Sequence, residues 1–197
     1  MYLIFDTETA GLPIVYDAPH SDIHNWPRVV QLAWEAFDKN GYKTDAQSHV
    51  IRPNGFKIPK DAQKVHGIST LAATRTGVPL PTALDAFAKA LSKALVLVAH
   101  NYSFDAGIIG AEFYRLGIRQ PFRGKITVCT MMNSTQYCRL PGQQGFKWPK
   151  LPELHLKLFG RKVAETHDAA SDVRTCSKCF FELKRLGVIR VTKRGQR

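Results

Sequence analysis

Long apolar runs are absent from this sequence of 197 residues. Apolar stretches such as residues 95–99 are far shorter than the roughly 20 residues that a membrane-spanning helix needs. The first residues, from Met1 to Asp6, contain no basic segment followed by an apolar core and a cleavage site. We therefore expect no membrane-spanning segment and no secretory signal peptide.

Cysteine is also scarce, with four residues at positions 129, 138, 176 and 179. So few cysteines favour reduced thiols in a cytoplasmic protein over a disulfide scaffold. Cys176 and Cys179 have the C-x-x-C spacing of half a zinc site, but they fall in a helix-like segment without a second such pair. We interpret them as small buried apolar residues, with structural zinc as the alternative.

Acidic residues are few relative to basic ones: 28 Lys and Arg face 16 Asp and Glu, which gives a formal net charge of +12. Eight of the basic residues lie between Arg174 and Arg197, where Glu182 is the one acidic residue. This balance predicts a polyanionic partner, nucleic acid first and an anionic membrane surface second. The ordinary alternative for the last segment is a solvated helix face followed by a frayed tail.

Strand-like and helix-like patterns alternate along the chain and predict an α/β fold. Strands are predicted at residues 2–8, 29–37, 48–51, 95–99 and 126–130. Helices are predicted at residues 61–66, 81–94, 105–116 and 169–186. A loop is predicted at residues 140–149, followed by a short helix that ends at residue 159. We expect one mixed sheet, antiparallel hairpin strands first and parallel strands afterwards, with helices on both faces. A single domain would span residues 1–187, and a short basic tail residues 188–197.

Acidic side chains follow two of the predicted strands, where ligands of such sheets collect. Asp6 and Glu8 are two residues apart, so the strand period places both carboxylates on one face, where a divalent cation would offset their repulsion. The plain alternative is that both are solvated after the end of the strand. Asp105 follows the strand at 95–99, and its ordinary role there would be to cap the next helix.

His167 and Asp172 are five residues apart, which is about 140° around an ideal helix. They cannot share one helical face. We therefore predict that His167 lies in the loop before the last helix and Asp172 on its first turns. The alternative is a solvated histidine and an aspartate that interacts with the helix dipole.

Four segments, in this order, together resemble the DEDDh family of 3′-to-5′ exonucleases: residues 5–12 (FDTETAGL), 65–68 (VHGI), 100–105 (HNYSFD) and 167–172 (HDAASD). The resemblance implies a ribonuclease H-like fold and phosphodiester hydrolysis with two Mg²⁺ or Mn²⁺ ions. It implies that Asp6 bridges both ions, that Glu8 and Asp172 complete one site and that Asp105 holds the second ion. His167 would be the general base.

The resemblance also implies residues that contact the 3′-terminal nucleotides, namely Thr7, Thr9, Leu12, His66, Asn101 and Phe104. Leu12 would wedge against the last base and Asn101 would orient its loop. Three of them have a simpler alternative: Leu12 would close a turn, His66 would end a helix, and Phe104 would be buried in the core, as aromatic residues usually are. The loop at 140–149 contains Trp148, and Lys150 follows it directly. This charge and this aromatic ring would suit contact with nucleic acid. An ordinary surface loop with a packed tryptophan is an equal alternative.

These observations predict a metal-dependent 3′-to-5′ exonuclease that releases nucleoside 5′-monophosphates, with DNA preferred. Its partners would be single-stranded or frayed 3′ ends, in repair or proofreading, either free-standing or with a polymerase. One alternative is an exoribonuclease that trims small RNAs or oligoribonucleotides, because no residue decides how a 2′-OH is treated. Another is a catalytically silent module that binds nucleic acid or a polymerase.

Overall fold

The structure is a computed structural model that describes residues 1–118 and 121–191. The central strands are β1 (Tyr2–Thr9), β2 (Val29–Phe37), β3 (Lys43–Val50), β4 (Val96–Ala99) and β5 (Ile126–Cys129). A separate short hairpin consists of β6 (Pro141–Gly142) and β7 (Gly145–Phe146). The helices are α1 (Lys60–His66), α2 (Thr70–Thr76), α3 (Leu80–Lys93), α4 (Tyr102–Arg115), α5 (Thr130–Cys138), α6 (Leu151–Phe159) and α7 (Ala169–Arg185).

The central strand of the sheet is β1, which pairs with β2 antiparallel and with β4 parallel in the order β3-β2-β1-β4-β5. Successive residues of β1 enter different cores because strand side chains alternate between faces. Leu3 and Phe5 pack into a core that includes α3 and α4, whereas Ile4 packs into a core with α6 and α7. Helices therefore cover both faces, which confirms the predicted mixed α/β sheet.

The structure corrects several of the predicted elements. Strand β3 begins at Lys43 rather than at residue 48, because it is a largely exposed edge strand without the apolar residues that mark a buried one. Helices α2 and α5 were not predicted. Both contain several hydroxyl side chains, and α5 also contains two amides, in place of an apolar stripe. The predicted loop at residues 140–149 contains the hairpin β6–β7.

The segment between β1 and β2 is held tightly against α4, so the residues after Thr9 have a defined position. A Cβ atom at Gly107 would overlap the ring of Trp26, so this approach requires glycine. Arg115 on α4 donates to the Trp26 carbonyl at 2.7 Å, and Arg28 forms an ion pair at 2.9 Å with Glu112, which is fully buried. These contacts orient the chain as it enters and leaves the site region.

Helix α7 ends at Arg185, and Ile189, which follows it, is buried in the core beside this helix. The cations Lys193, Arg194 and Arg197 of the predicted basic tail lie outside the described residues. Cys176 and Cys179 are buried on α7, as predicted for small apolar residues. Within the described ranges, no helix combines the length and apolarity that a membrane crossing requires.

Candidate active site

Asp105 links helix α4 to the end of β1. It is buried, and its Oδ1 accepts hydrogen bonds from the Thr7 backbone N–H at 3.0 Å and from the Thr7 hydroxyl at 2.8 Å. The predicted alternative, that Asp105 caps the helix, is wrong because α4 begins three residues earlier, after Asn101. These bonds place the Asp105 carboxyl beside the strand that carries Asp6 and Glu8.

Glu8, His167 and Asp172 form one cluster, in which one ligand atom from each lies within 4.8 Å of the others. Asp168 is the N-cap of α7 and accepts from the Ser171 backbone N–H at 3.0 Å. His167 therefore lies just before the helix and Asp172 on its first turn, as the spacing predicts. The two side chains reach Glu8 from different directions.

A link that the sequence did not indicate fixes the start of α7 against the sheet. Gln31 is the cross-strand partner of Glu8 on β2. Its side chain donates to Asp168 Oδ1 at 2.9 Å and accepts from the Ala169 backbone N–H at 3.2 Å. Because both bonds fix the first residues of α7, Gln31 positions His167 and Asp172 relative to Glu8. A glutamine within a mostly apolar strand is the sequence signal that could have revealed it.

The four acids expected to hold metal, Asp6, Glu8, Asp105 and Asp172, are all harder to ionise than isolated carboxyl groups. Desolvation, followed by repulsion from Asp105 and Asp172, raises the pKa of Asp6 well above its usual value. The same causes, with desolvation largest, raise the pKa of Glu8 to about 8. Desolvation raises the pKa of Asp105 to about 7 although its bonds from Thr7 favour ionisation, and desolvation also raises the pKa of Asp172.

This group of acids fits a divalent metal centre. Within residues 1–118 and 121–191, no Lys or Arg forms an ion pair with Asp6, Glu8, Asp105 or Asp172. Clustered carboxylates without a cationic partner are costly when ionised, and their oxygens are the donors that Mg²⁺ and Mn²⁺ prefer. The donor set therefore suits hard divalent cations, which would lower the pKa values of all four groups.

Five of the six residues expected to contact substrate line one cavity of about 400 Å³ beside Glu8. These residues are Thr7, Thr9, Leu12, His66 and Phe104. Leu12 is 72% exposed, so its side chain is accessible at the cavity. Phe104 is half-buried: it packs against the core and also forms part of the cavity wall, which combines both expectations. We call this space the apolar cavity.

Asn101, the sixth of these residues, lies in a second cavity of about 410 Å³ together with Asp6, His167, Asp172 and the 62% exposed Trp148. We call this space the charged cavity. Asn101 has a left-handed backbone (φ 94°), which turns the chain sharply between β4 and α4. The acids thus lie between two cavities, with Glu8 lining the first and Asp6 and Asp172 the second.

Two further residues shape the charged cavity and were not predicted from the sequence. His100 lies between the Thr130 hydroxyl at 2.9 Å from Nδ1 and the Pro149 carbonyl at 3.0 Å from Nε2. Desolvation lowers the pKa of His100 to about 4, so the neutral ring donates from Nε2 and accepts at Nδ1. Glu165 Oε1 lies 3.8 Å from His167 Nε2 and 3.2 Å from Lys150 Nζ.

The sheet order and the acidic cluster at its edge define a ribonuclease H-like nuclease architecture. The chain belongs to the exonuclease family RNase_T, whose profile matches residues 3–180. This match confirms the resemblance to the DEDDh exonucleases.

Individual relatives share less than a third of their residues with this chain, and it spans only part of their length. The chain is 26% identical over 92% of its length to the 3′-5′ exonuclease DinG of Bacillus subtilis, of which it spans 17%. It is 29% identical over 91% of its length to the DNA polymerase III subunit epsilon of Treponema pallidum, of which it spans 74%. Exonuclease I of E. coli, solved with a dT13 oligonucleotide, has the same fold, with a TM-score of 0.73 at 17% identity over 94% of this chain and 42% of that one.

Proposed function

We propose that this protein is a metal-dependent 3′-to-5′ exonuclease that releases nucleoside 5′-monophosphates, with DNA preferred over RNA. The observation that carries the proposal is the convergence of Glu8, His167 and Asp172 within 4.8 Å, next to Asp6 and Asp105. An acidic cluster with a neighbouring imidazole, between two cavities, suits hydrolysis of a phosphodiester that extends from one cavity into the other.

In this proposal Asp6, Glu8, Asp105 and Asp172 hold two divalent cations, Mg²⁺ or Mn²⁺. Bound there, the ions would neutralise the scissile phosphate, activate the attacking water and stabilise the leaving oxygen. The protein's own contribution is positioning: Thr7 orients Asp105, and Gln31 holds the start of α7. Both contacts fix carboxylates in place before substrate arrives, which reduces the cost of reorganisation.

His167 has the place of a general base. Its side chain borders the charged cavity and is 43% exposed, so it is accessible to water. A neutral imidazole there accepts the proton of the attacking water and passes it to solvent. Glu165 is near enough, at 3.8 Å, to stabilise the imidazolium that forms.

The apolar cavity has the place of the binding site for the 3′-terminal nucleotide. Leu12 and Phe104 offer apolar surface to a base, and His66 borders the same space. Exonuclease polarity and DNA preference rest on the names of the relatives, a 3′-5′ exonuclease and a DNA polymerase III subunit. Association with a polymerase and a cytoplasmic location stay predictions.

The test digests 5′-labelled single-stranded DNA and RNA of the same sequence side by side in Mg²⁺. We expect a ladder of DNA products that shorten one nucleotide at a time, with nucleoside 5′-monophosphates released, and slower digestion of RNA. The Asp6→Asn variant should show no digestion, while Asp85→Asn, which changes an exposed acid on α3, should behave like wild type.

Other outcomes contradict the proposal in distinct ways. Faster digestion of RNA than DNA supports the exoribonuclease alternative. Binding without hydrolysis in Mg²⁺ and in Mn²⁺ supports the silent module. Full activity of Asp6→Asn overturns the assignment of the metal ligands.

A further inference from the structure

A third cavity, of about 830 Å³, lies between the C-terminal ends of α6 and α7, away from the acidic cluster. We call it the α6–α7 groove. Its walls include Phe159, Arg161, Lys162, Lys178, Phe181 and Arg185. We propose that this groove binds the single-stranded part of the substrate several nucleotides to the 5′ side of the cleaved bond. This proposal rests on the proposed exonuclease function and adds a second, anchoring contact to it.

The charge of the groove favours a polyanion. Among the described residues, Arg161, Lys162 and Lys178 form no ion pair with a carboxylate, and all three are exposed. The one acid of the groove, Glu182, is already held by Arg185 through two hydrogen bonds of 2.8 and 2.7 Å. Three cations are therefore available for phosphate groups.

The groove also offers aromatic surface, which nucleic acid uses and a simple anion does not. Phe159 is 37% exposed, and its ring packs against the His155 ring with centroids 4.6 Å apart. Phe181 is half-buried and packs edge-on against Phe37 at 4.8 Å. Both rings are thus held in place from behind. Cations beside supported aromatic rings are typical of surfaces that bind single strands without reading their sequence.

The groove follows the charged cavity along the same two elements. The start of α6, with Leu151 and Pro152, lines the charged cavity, and the end of α6 lines the groove. The segment after α6 likewise places Arg161 and Lys162 in the groove and His167 in the charged cavity. A single nucleic-acid strand that extends from the acidic cluster through the charged cavity would therefore reach the α6–α7 groove next.

The helix gives an approximate distance between the two places. At 1.5 Å per residue, Lys178 lies about 9 Å and Arg185 about 20 Å further along α7 than Asp172. With one phosphate per 3.4 Å of a stacked strand, this corresponds to roughly three to six nucleotides. Substrates of three nucleotides should therefore not reach the groove, whereas substrates of about fifteen should fill it.

The test compares a 3-mer and a 15-mer of single-stranded DNA on a triple variant, Arg161→Gln with Lys162→Gln and Lys178→Gln. The KM for the 15-mer should rise about tenfold, while kcat and the KM for the 3-mer change less than about twofold. Because each phosphate contact on a single strand adds about 0.7 to the salt slope, log Kd for the 15-mer should depend less steeply on log salt by about 2. Phe159→Ala should weaken 15-mer binding by about fivefold or more.

The matched control removes the same charges elsewhere: Arg75→Gln with Lys89→Gln and Lys93→Gln, on α2 and α3. These helices pack against the other face of the sheet or its edge. The proposal is overturned if the control loses as much 15-mer affinity, if the groove variant loses 3-mer and 15-mer equally, or if it loses neither. Fluorescence anisotropy of the labelled 15-mer in EDTA reads the groove without hydrolysis. Absence of hydrolysis by wild type would overturn the proposed function instead.

Discussion

The apolar cavity and the charged cavity have nearly equal volumes, about 400 and 410 Å³, but the second is lined by several charged side chains in addition to apolar ones. The first is lined largely by small and apolar groups from two short segments, residues 7–12 and 59–66, with Phe104. The second is lined by side chains from five parts of the chain, including Asp6, Lys150, His167 and Asp172. In the proposed function this difference separates two tasks: shape and apolar surface would hold a nucleotide, and concentrated charge would carry out the reaction.

The strongest way to test this comparison is to remove one acid. Asp6→Asn should lower kcat by about 1,000-fold or more, because the proposed function assigns Asp6 to the metal ligands. The same change should raise the melting temperature of the metal-free protein, since it relieves repulsion among Asp6, Glu8, Asp105 and Asp172. Steady-state kinetics in Mg²⁺ and thermal melts in EDTA measure the two effects. A lower melting temperature in EDTA would show that Asp6 stabilises the fold.

Removal of the imidazole should have the next largest effect. His167→Gln keeps a polar side chain of similar size but cannot accept the proton, so kcat should fall about 100-fold with little change in KM. The rate of wild type should decline towards acidic pH, and this decline should flatten in the variant. A pH–rate profile from about pH 5 to about pH 9 measures both. If the acidic decline persists in His167→Gln, a different group is the base.

Changes in the apolar cavity should affect binding rather than chemistry. Leu12→Ala removes apolar surface that is 72% exposed in the free protein, so the fold should be unaffected. KM for single-stranded DNA should rise about tenfold, as expected for a lost contact worth about 1.4 kcal/mol, with kcat nearly unchanged. The kinetics of Ile14→Ala serve as the control, because Ile14 is 81% exposed and does not line the cavity. Equal effects of both substitutions would contradict this role for Leu12.

Local patterns explain why one part of this arrangement could be predicted from the sequence. The apolar residues of β1 end directly in Asp6 and Glu8, so the strand and the position of its acids are visible in one short segment. The five-residue spacing placed His167 before α7 and Asp172 on it, which the structure confirms. Each of these predictions needs only the periods of a strand and a helix.

Long-range contacts could not be predicted in the same way. Gln31 and Asp168 are 137 residues apart, and His100 lies 49 residues from Pro149. Neither a lone glutamine in a strand nor a lone histidine after one identifies its partner. Helix α5 escaped detection for a different reason, since its core contacts come from Thr130, Ser134 and Cys138 rather than from large apolar residues. Tertiary packing decided these features, not local propensity.

The smallest predicted effect concerns the stability of the metal-free protein between about pH 6.5 and about pH 8. The pKa of Asp105 is raised to about 7 and that of Glu8 to about 8, so the folded state retains protons that the unfolded state has lost. Stability contributed in this way is complete below the unfolded pKa values and is lost as pH rises through the folded ones. The melting temperature in EDTA should therefore fall by a few degrees across this window.

The window is chosen because histidines act in the opposite direction at lower pH. Desolvation lowers the pKa values of His20, His49 and His66, and lowers that of His100 to about 4. These histidines favour the unfolded state where they are protonated in it but not in the folded state, which occurs below about pH 6.5. Above that pH the carboxyl groups decide the slope. Glu8→Gln should make the slope shallower, and Mg²⁺ should remove it in wild type by binding the ionised acids. A melting temperature that rises with pH in EDTA across the same window would show that the cluster is already ionised without metal, and the charged cavity would then need another source of compensation.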